Sequence, residues 1–280
     1  MKYQKAVSLT IGLLLFFVGI CQQVYIISKQ TFYPYKVLEY SESGYSGNEK
    51  NAEKFNIKMT IDSFEISSQI TFKQYKLYLK SIRKDSSYNF YLSQFPDSNI
   101  TSKENYSIYI SNKKYENFPV AGISWEAAMN YCKWRTLQEN KGTGIKFIYR
   151  LPEIIEWLAA YNFLEKNDSK HDFSKNFSDW TMSTYYEGIS GFKNDSILVY
   201  DLFSDLPKTK DHPREKRKRI IGDSYFFQRE ELREHFRTNY TFEGYRQVSF
   251  RLIKVPLNKS NDFKSLTKRI IDYWGIGMNK

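Results

Sequence analysis

The sequence predicts one globular domain that mixes a few helices with short strands and long loops, preceded by an apolar N-terminal segment. Three observations carry this. Hydrophobic residues fill 41% of 280 positions, enough to bury a core within a single domain. Capping residues open three stretches of helical apolar spacing, while the rest of the body alternates short aromatic runs with loops. The third observation is that Ala6 to Ser28 contains no charged residue. With only 13 glycines, 7 prolines and no repeat at a fixed period, fibrous and repeat architectures are excluded.

Lys2 and Lys5 stand ahead of the apolar run, whose densest part is Ile11 to Ile20. Basic residues before an apolar stretch mark export or an N-in membrane anchor. Three readings of residues 1–28 stay open. An uncleaved signal anchor would run from about Ala6 to Ile27, near the ~20 residues a bilayer requires. A lipoprotein signal would lipidate Cys21, in the context Val18-Gly19-Ile20-Cys21, although Ile20 is larger than the residue usual there. A cleaved signal lacks a small-residue cleavage site. All three predict a membrane-attached or exported, extracytoplasmic body. Residues 29–56 read as a linker, because Ser41 to Lys50 is polar, glycine-bearing and without apolar period.

Ile57 to Ile61 alternates as a short strand, and Phe64 to Ile66 follows. Thr71 is placed to cap a first helix with Tyr75, Leu77, Tyr78 and Leu79 on its apolar face. Ser124 caps a second, whose inner stripe is Ala127, Ala128, Tyr131, Cys132 and Trp134. Pro152 opens a third, followed by Ile155, Trp157, Leu158 and Tyr161. Residues 257–280 read as a C-terminal tail with a short helix.

An excess of 42 Lys+Arg over 31 Asp+Glu favours anionic partners in general. The basic residues are scattered and no nucleic-acid module is present, so nucleic acid is not an expected partner. Arg214 to Arg219 is the one dense basic run, and it reads as a solvated loop. Cys21 and Cys132 are not expected to bridge, and His171, His212 and His235 lack metal-ligand spacing.

Seven motifs follow one another in a telling order. Phe118-Pro119-Val120-Ala121-Gly122-Ile123-Ser124-Trp125-Glu126-Ala127-Ala128 leads into Tyr131-Cys132-Lys133-Trp134. Tyr149-Arg150-Leu151-Pro152-Glu153 comes next, with Glu156-Trp157. Gln69-Ile70-Thr71 with Tyr75 lies upstream; Asn176-Phe177-Ser178-Asp179-Trp180-Thr181, Gly222-Asp223-Ser224-Tyr225 and Ser249-Phe250-Arg251-Leu252 lie downstream. Together they resemble the formylglycine-generating-enzyme, or sulfatase-modifying factor, family over about Ile57 to Val255, giving a domain at 57–256. The resemblance implies an α+β, C-type-lectin-like fold, irregular and loop-rich. Cys132-Lys133-Trp134-Arg135-Thr136 is most similar to the branch of gliding-motility and secretion-associated lipoproteins. Read for their own chemistry, Trp125, Trp134, Trp157 and Trp180 are core rings. Arg150 and Arg251 are expected to be held by Glu153, Glu156 or Asp179.

Formylglycine generation, as the resemblance implies it, needs two cysteines that bind copper(I) shortly after the glycine–serine motif. Counted from Ser224, those positions fall on Phe227 and Leu232, so copper is not expected. Sulfoxide synthesis at iron would need a histidine-bearing helical domain, which is not expected either. A structural calcium is implied at the side chains of Asp172 and Asp179 and the carbonyls of Lys175 and Phe177. The expected function is therefore that of a pseudoenzyme: a non-catalytic, membrane-attached scaffold or interaction domain among other envelope proteins, within a gliding or secretion complex. The alternatives are a divergent oxidoreductase acting on a peptide cysteine, and binding of an anionic envelope polymer through the basic run.

Overall fold

The computed structural model describes residues 22–33, 58–97, 111–167, 173, 177–184, 217–222, 237–240, 244–245, 248–257 and 266–276. In chain order the elements are β1 (Val24–Ile27), β2 (Gln30–Phe32), β3 (Met59–Ile61), β4 (Phe64–Ser67), α1 (Phe72–Ile82), α2 (Tyr88–Ser93) and α3 (Trp125–Glu139). They continue with β5 (Phe147–Arg150), α4 (Ile154–Asn167), β6 (Ser178–Thr184), β7 (Arg217–Ile221), β8 (Arg237–Tyr240), β9 (Val248–Ser249), β10 (Ile253–Pro256) and α5 (Leu266–Trp274). The strands form three small sheets. An antiparallel sheet has the order β1-β4-β10-β5, a two-stranded ribbon pairs β2 with β3, and a mixed sheet runs β8-β7-β6-β9 with β6 parallel to β9.

Local chemistry explains the helix starts. Thr71 Oγ1 accepts from Gln74 N while Gln74 Oε1 accepts from Thr71 N, a closed capping box. Ser124 Oγ accepts from Ala127 N at 3.1 Å and starts α3. Nearly every side of α3 is covered, with Trp125, Ala127, Ala128, Tyr131, Cys132, Trp134 and even Arg135 buried, so this helix runs through the middle of the molecule. On α1 the buried stripe is Phe72, Tyr75, Tyr78 and Leu79, and Leu77 is only half-buried. The third helix begins at Ile154 rather than at Pro152. Glu156 accepts from Glu153 N at 2.8 Å and Ser183 Oγ accepts from Ile154 N at 3.2 Å, so two side chains cap α4. Pro152 lies ahead of it, and its carbonyl accepts from Met182 N.

Elsewhere the structure departs from the sequence reading. Val24–Ile27 is a strand of the domain, whereas the signal-anchor reading, one of the three left open, ran to about Ile27; Tyr25 and Ile27 alternate inward against the core. Gln30–Phe32 lies within the expected linker yet forms β2: Phe32 is buried, and Gln30 Nε2 donates to Ala159 O at 2.8 Å. The basic run enters β7 at Arg217, and Lys218 is 2% exposed, the reverse of a solvated loop. The helix in the expected tail, α5, seats Ile270, Ile271 and Trp274 in the core. Its C-terminal carbonyl, Trp274 O, accepts from Lys133 Nζ of α3 at 2.6 Å. Among the described residues no helix is long and apolar enough to cross a membrane.

The core is continuous and aromatic. Trp125, Trp157 and Trp180 are fully buried, as are Tyr75, Tyr78, Tyr131 and Phe250. One backbone crossing sets its rim: a Cβ on Gly244 would lie 1.9 Å from Gly122 O, so only glycine fits where the Gly244–Tyr245 segment passes the start of α3.

Candidate functional site

The strand β6 delivers Asp179 to the centre of a fully enclosed polar cluster. Its side chain is 0% exposed, and three donors converge on it. Gln69 Nε2 donates to Oδ1 at 2.9 Å, Trp157 Nε1 donates to Oδ2 at 2.9 Å, and Arg251 Nε donates to Oδ2 at 2.6 Å. Arg251 also donates to Phe173 O and to Ser67 O, and its guanidinium lies 4.0 Å from the centre of the Phe173 ring. Gln69 bridges further, donating to Phe177 O at 2.7 Å. A buried carboxylate with a guanidinium and two neutral donors recovers the hydration it lost.

A second ion pair sits at the mouth of α4. Arg150 grips Glu156 with two parallel bonds of 2.6 Å and donates to Leu151 O at 3.1 Å. Arg150 and Arg251 are thus held by two of the three carboxylates expected from sequence. The motif tryptophans are tied as well: Trp125 Nε1 donates to Thr181 O, Trp180 Nε1 to Ile123 O, and Trp134 Nε1 to Ser81 Oγ. Lys218 Nζ donates to Met182 O at 2.8 Å and stands 5.2 Å over Trp125.

Beneath α1 and α3 lies a tyrosine cluster. Tyr75 stacks on Tyr131 at 5.6 Å, and Tyr78 meets both edge-on. Gln94 joins them, accepting from Tyr75 Oη at its carbonyl and from Tyr78 Oη at Oε1. Burial pushes the Tyr131 phenol up to about 12 and the Cys132 thiol well above its ordinary range. Cys132 stays a protonated packing group rather than a nucleophile or soft metal ligand.

The implied calcium residues divide. Phe177 O and Asp179 Oδ1 are brought together, but both face the Gln69 amide, and Arg251 balances the Asp179 charge. Asp172 and Lys175 lie outside the described residues, as do Cys21, Phe227, Leu232 and the three histidines. Among the described residues no group of three or more His, Cys, Asp or Glu could hold a metal ion. Sequence reasoning missed Gln69, Gln94 and Lys218. Gln69 alone carried a signal, since it heads one of the recognised motifs.

Residues 39–174 match the model of the sulfatase-modifying factor enzyme 1-like domain. Among solved structures, the chain is similar in fold to the crystal structure of CarF, at 15% identity and a TM-score of 0.51, covering 85% of this chain and 100% of that one. PvdO from Pseudomonas aeruginosa matches at 12% identity and a TM-score of 0.46, covering 84% and 95%. No curated protein matches the chain.

Proposed function

We propose, for a chain whose residues 39–174 belong to the sulfatase-modifying factor family, a non-catalytic role: an extracytoplasmic scaffold or interaction domain attached to the membrane. The observation that carries this reading is how the motif residues are used. Asp179, Arg251, Arg150, Glu156 and the four motif tryptophans are buried and bonded to one another or to backbone, which makes them fasteners of loops. Copper(I) does not fit the donor set. The positions implied for its thiolates hold Phe227 and Leu232, and the chain has two cysteines, of which Cys132 is sealed in the core.

Lys2 and Lys5 ahead of the charge-free segment support attachment and export. Exposed Tyr88, Phe90, Leu92 and Phe118 supply the aromatic and apolar side chains that protein contacts favour. The partners are accordingly other envelope proteins, in a gliding or secretion complex. Crosslinking of the full chain in native membranes, followed by pulldown and mass spectrometry, tests this. A stoichiometric envelope protein, lost when Tyr88→Asp and Leu92→Asp are combined, is the expected result. Recovery of only cytosolic proteins would remove the reading.

Structural calcium belongs to the same proposal. Phe177 O and Asp179 are hard oxygens at the right end of the segment, and Asp172 and Lys175 would complete the set.

A further inference from the structure

We propose that the domain lies directly on the bilayer, with the outward face of β1 against the lipid headgroups. This rests on the membrane attachment of residues 1–21 put forward above. Two observations carry it.

The first is the missing tether. The chain is fastened to the domain from Gln22 onward: Gln22 Nε2 donates to Ser68 O at 2.7 Å, and Ser68 N donates to Gln23 O at 2.8 Å. Val24 to Ile27 then pair in register with Ser67 to Phe64. On the inner face Ile27 is fully buried, and Tyr25 meets Phe173 edge-on at 6.1 Å. None of this segment can be let out as a linker without unpairing the sheet. The dense apolar run ends at Ile20. From Cys21 to Val24 an extended chain reaches about 11 Å at most. A bilayer of ~40–45 Å with a ~30 Å hydrocarbon core leaves roughly 5–8 Å of headgroups on each side. The strand β1 therefore starts at, or just above, the headgroups.

The second observation is the chemistry of the strand. β1 is the edge of its sheet, and its outward side chains are apolar: Val24 is 49% exposed and Ile26 73%. A water-facing edge is usually blunted with charge. The polar groups lie farther inward on the sheet. Glu65 is the neighbour of Ile26, and Lys254 the neighbour of Glu65, so the apolar strip is confined to the strand that continues from the apolar segment. Such a narrow strip suits shallow contact at headgroup depth. Lipid is the occupant because chain continuity brings it within reach first.

The test uses the full chain reconstituted into phosphatidylcholine–phosphatidylglycerol vesicles. A nitroxide is attached through Ile26→Cys or Val24→Cys, with Tyr88→Cys on α2 as the reference, all in a Cys21→Ser background. Val24, Ile26 and Tyr88 are exposed, so unchanged melting is expected, and Cys132 is too buried to take the label. In floated vesicles the labels at 24 and 26 should show an oxygen-to-nickel-chelate accessibility ratio several-fold above that at 88. Equal ratios in protein that floats would overturn the docking while leaving attachment intact. Spin–spin broadening at 26 would overturn it too, by assigning the face to a second copy. If neither the native chain nor the variant floats, attachment itself fails and the docking falls with it. Should only the Cys21→Ser chain fail to float, labelling moves to the native, acylated chain, whose Cys21 sulfur is blocked, and the same comparison decides.

Discussion

Asp179 joins four parts of the chain: the approach to α1 through Gln69, α4 through Trp157, the strand β6 that bears it, and the segment before β10 through Arg251. Removing this carboxylate leaves the Arg251 charge without its counterion and the Trp157 indole N–H without this acceptor, away from water. Asp179→Ala should therefore cost about 3–5 kcal/mol in urea unfolding, with or without any ion nearby. The calcium proposal must be read from the other aspartate. Chelation should lower the melting temperature of the wild type, and Asp172→Ala should melt low and ignore the chelator; a wild type indifferent to chelator ends that proposal. Buried protons give a second residue-scale prediction. Burial raises the Cys132 thiol and the Tyr78, Tyr131 and Tyr149 phenols, the last also through Glu139. A raised group gives stability that is complete below its unfolded value and lost as pH rises toward its folded one. Stability should hold below about pH 8.5, where unfolded thiols begin to ionise, and fall faster beyond about pH 10, where unfolded phenols follow. Each proton released only on unfolding contributes a slope of about 1.4 kcal/mol per pH unit. Urea midpoints flat from pH 8 to 11 would contradict it.

Among the elements, α4 makes the sharpest prediction. Trp157 is fully buried, stacks on Tyr161 at 5.6 Å, contacts Phe173 and donates to Asp179, so Trp157→Ala should cost about 3–5 kcal/mol. An unchanged thermal midpoint would mean that the ring carries no packing. The helices were legible because their signals are local: Thr71 and Ser124 cap within three residues, and the apolar spacing of α1 and α3 spans several turns. Strands β1 and β2 were not. Four and three residues are too few to show alternation, and in β1 the outward residues Val24 and Ile26 are as apolar as the inward ones. Lys218 was misread for a different reason. A buried cation is legible only from what surrounds it, here Met182 O and the Trp125 ring, brought by distant parts of the chain. At the candidate site the ion pairs of Arg150 and Arg251 were foreseeable from charge. Gln69 was marked only as the head of a motif and Gln94 not at all, since a glutamine has no preferred partner in sequence.

At the scale of the whole molecule, the motif order resembles the family whose model residues 39–174 match, while the positions implied for the copper thiolates hold Phe227 and Leu232. Incubated with a cysteine-containing sulfatase peptide, copper(I) and air, the full chain should form no aldehyde detectable by mass spectrometry. Heat-labile turnover above a protein-free control would restore the oxidoreductase alternative. The first sheet has a further consequence, for the order of events at birth. β5 pairs with β10, and β4 lies between β1 and β10, so this sheet joins residue 24 to residue 256. Pairings so distant in sequence form late, because the loop must close before any contact rewards it. Until Ile253–Pro256 has emerged from the ribosome, β4 keeps an open edge and β5 has no strand beside it. The first sheet thus cannot close until synthesis has passed residue 256, and its unpaired strand edges stay open to other chains until then.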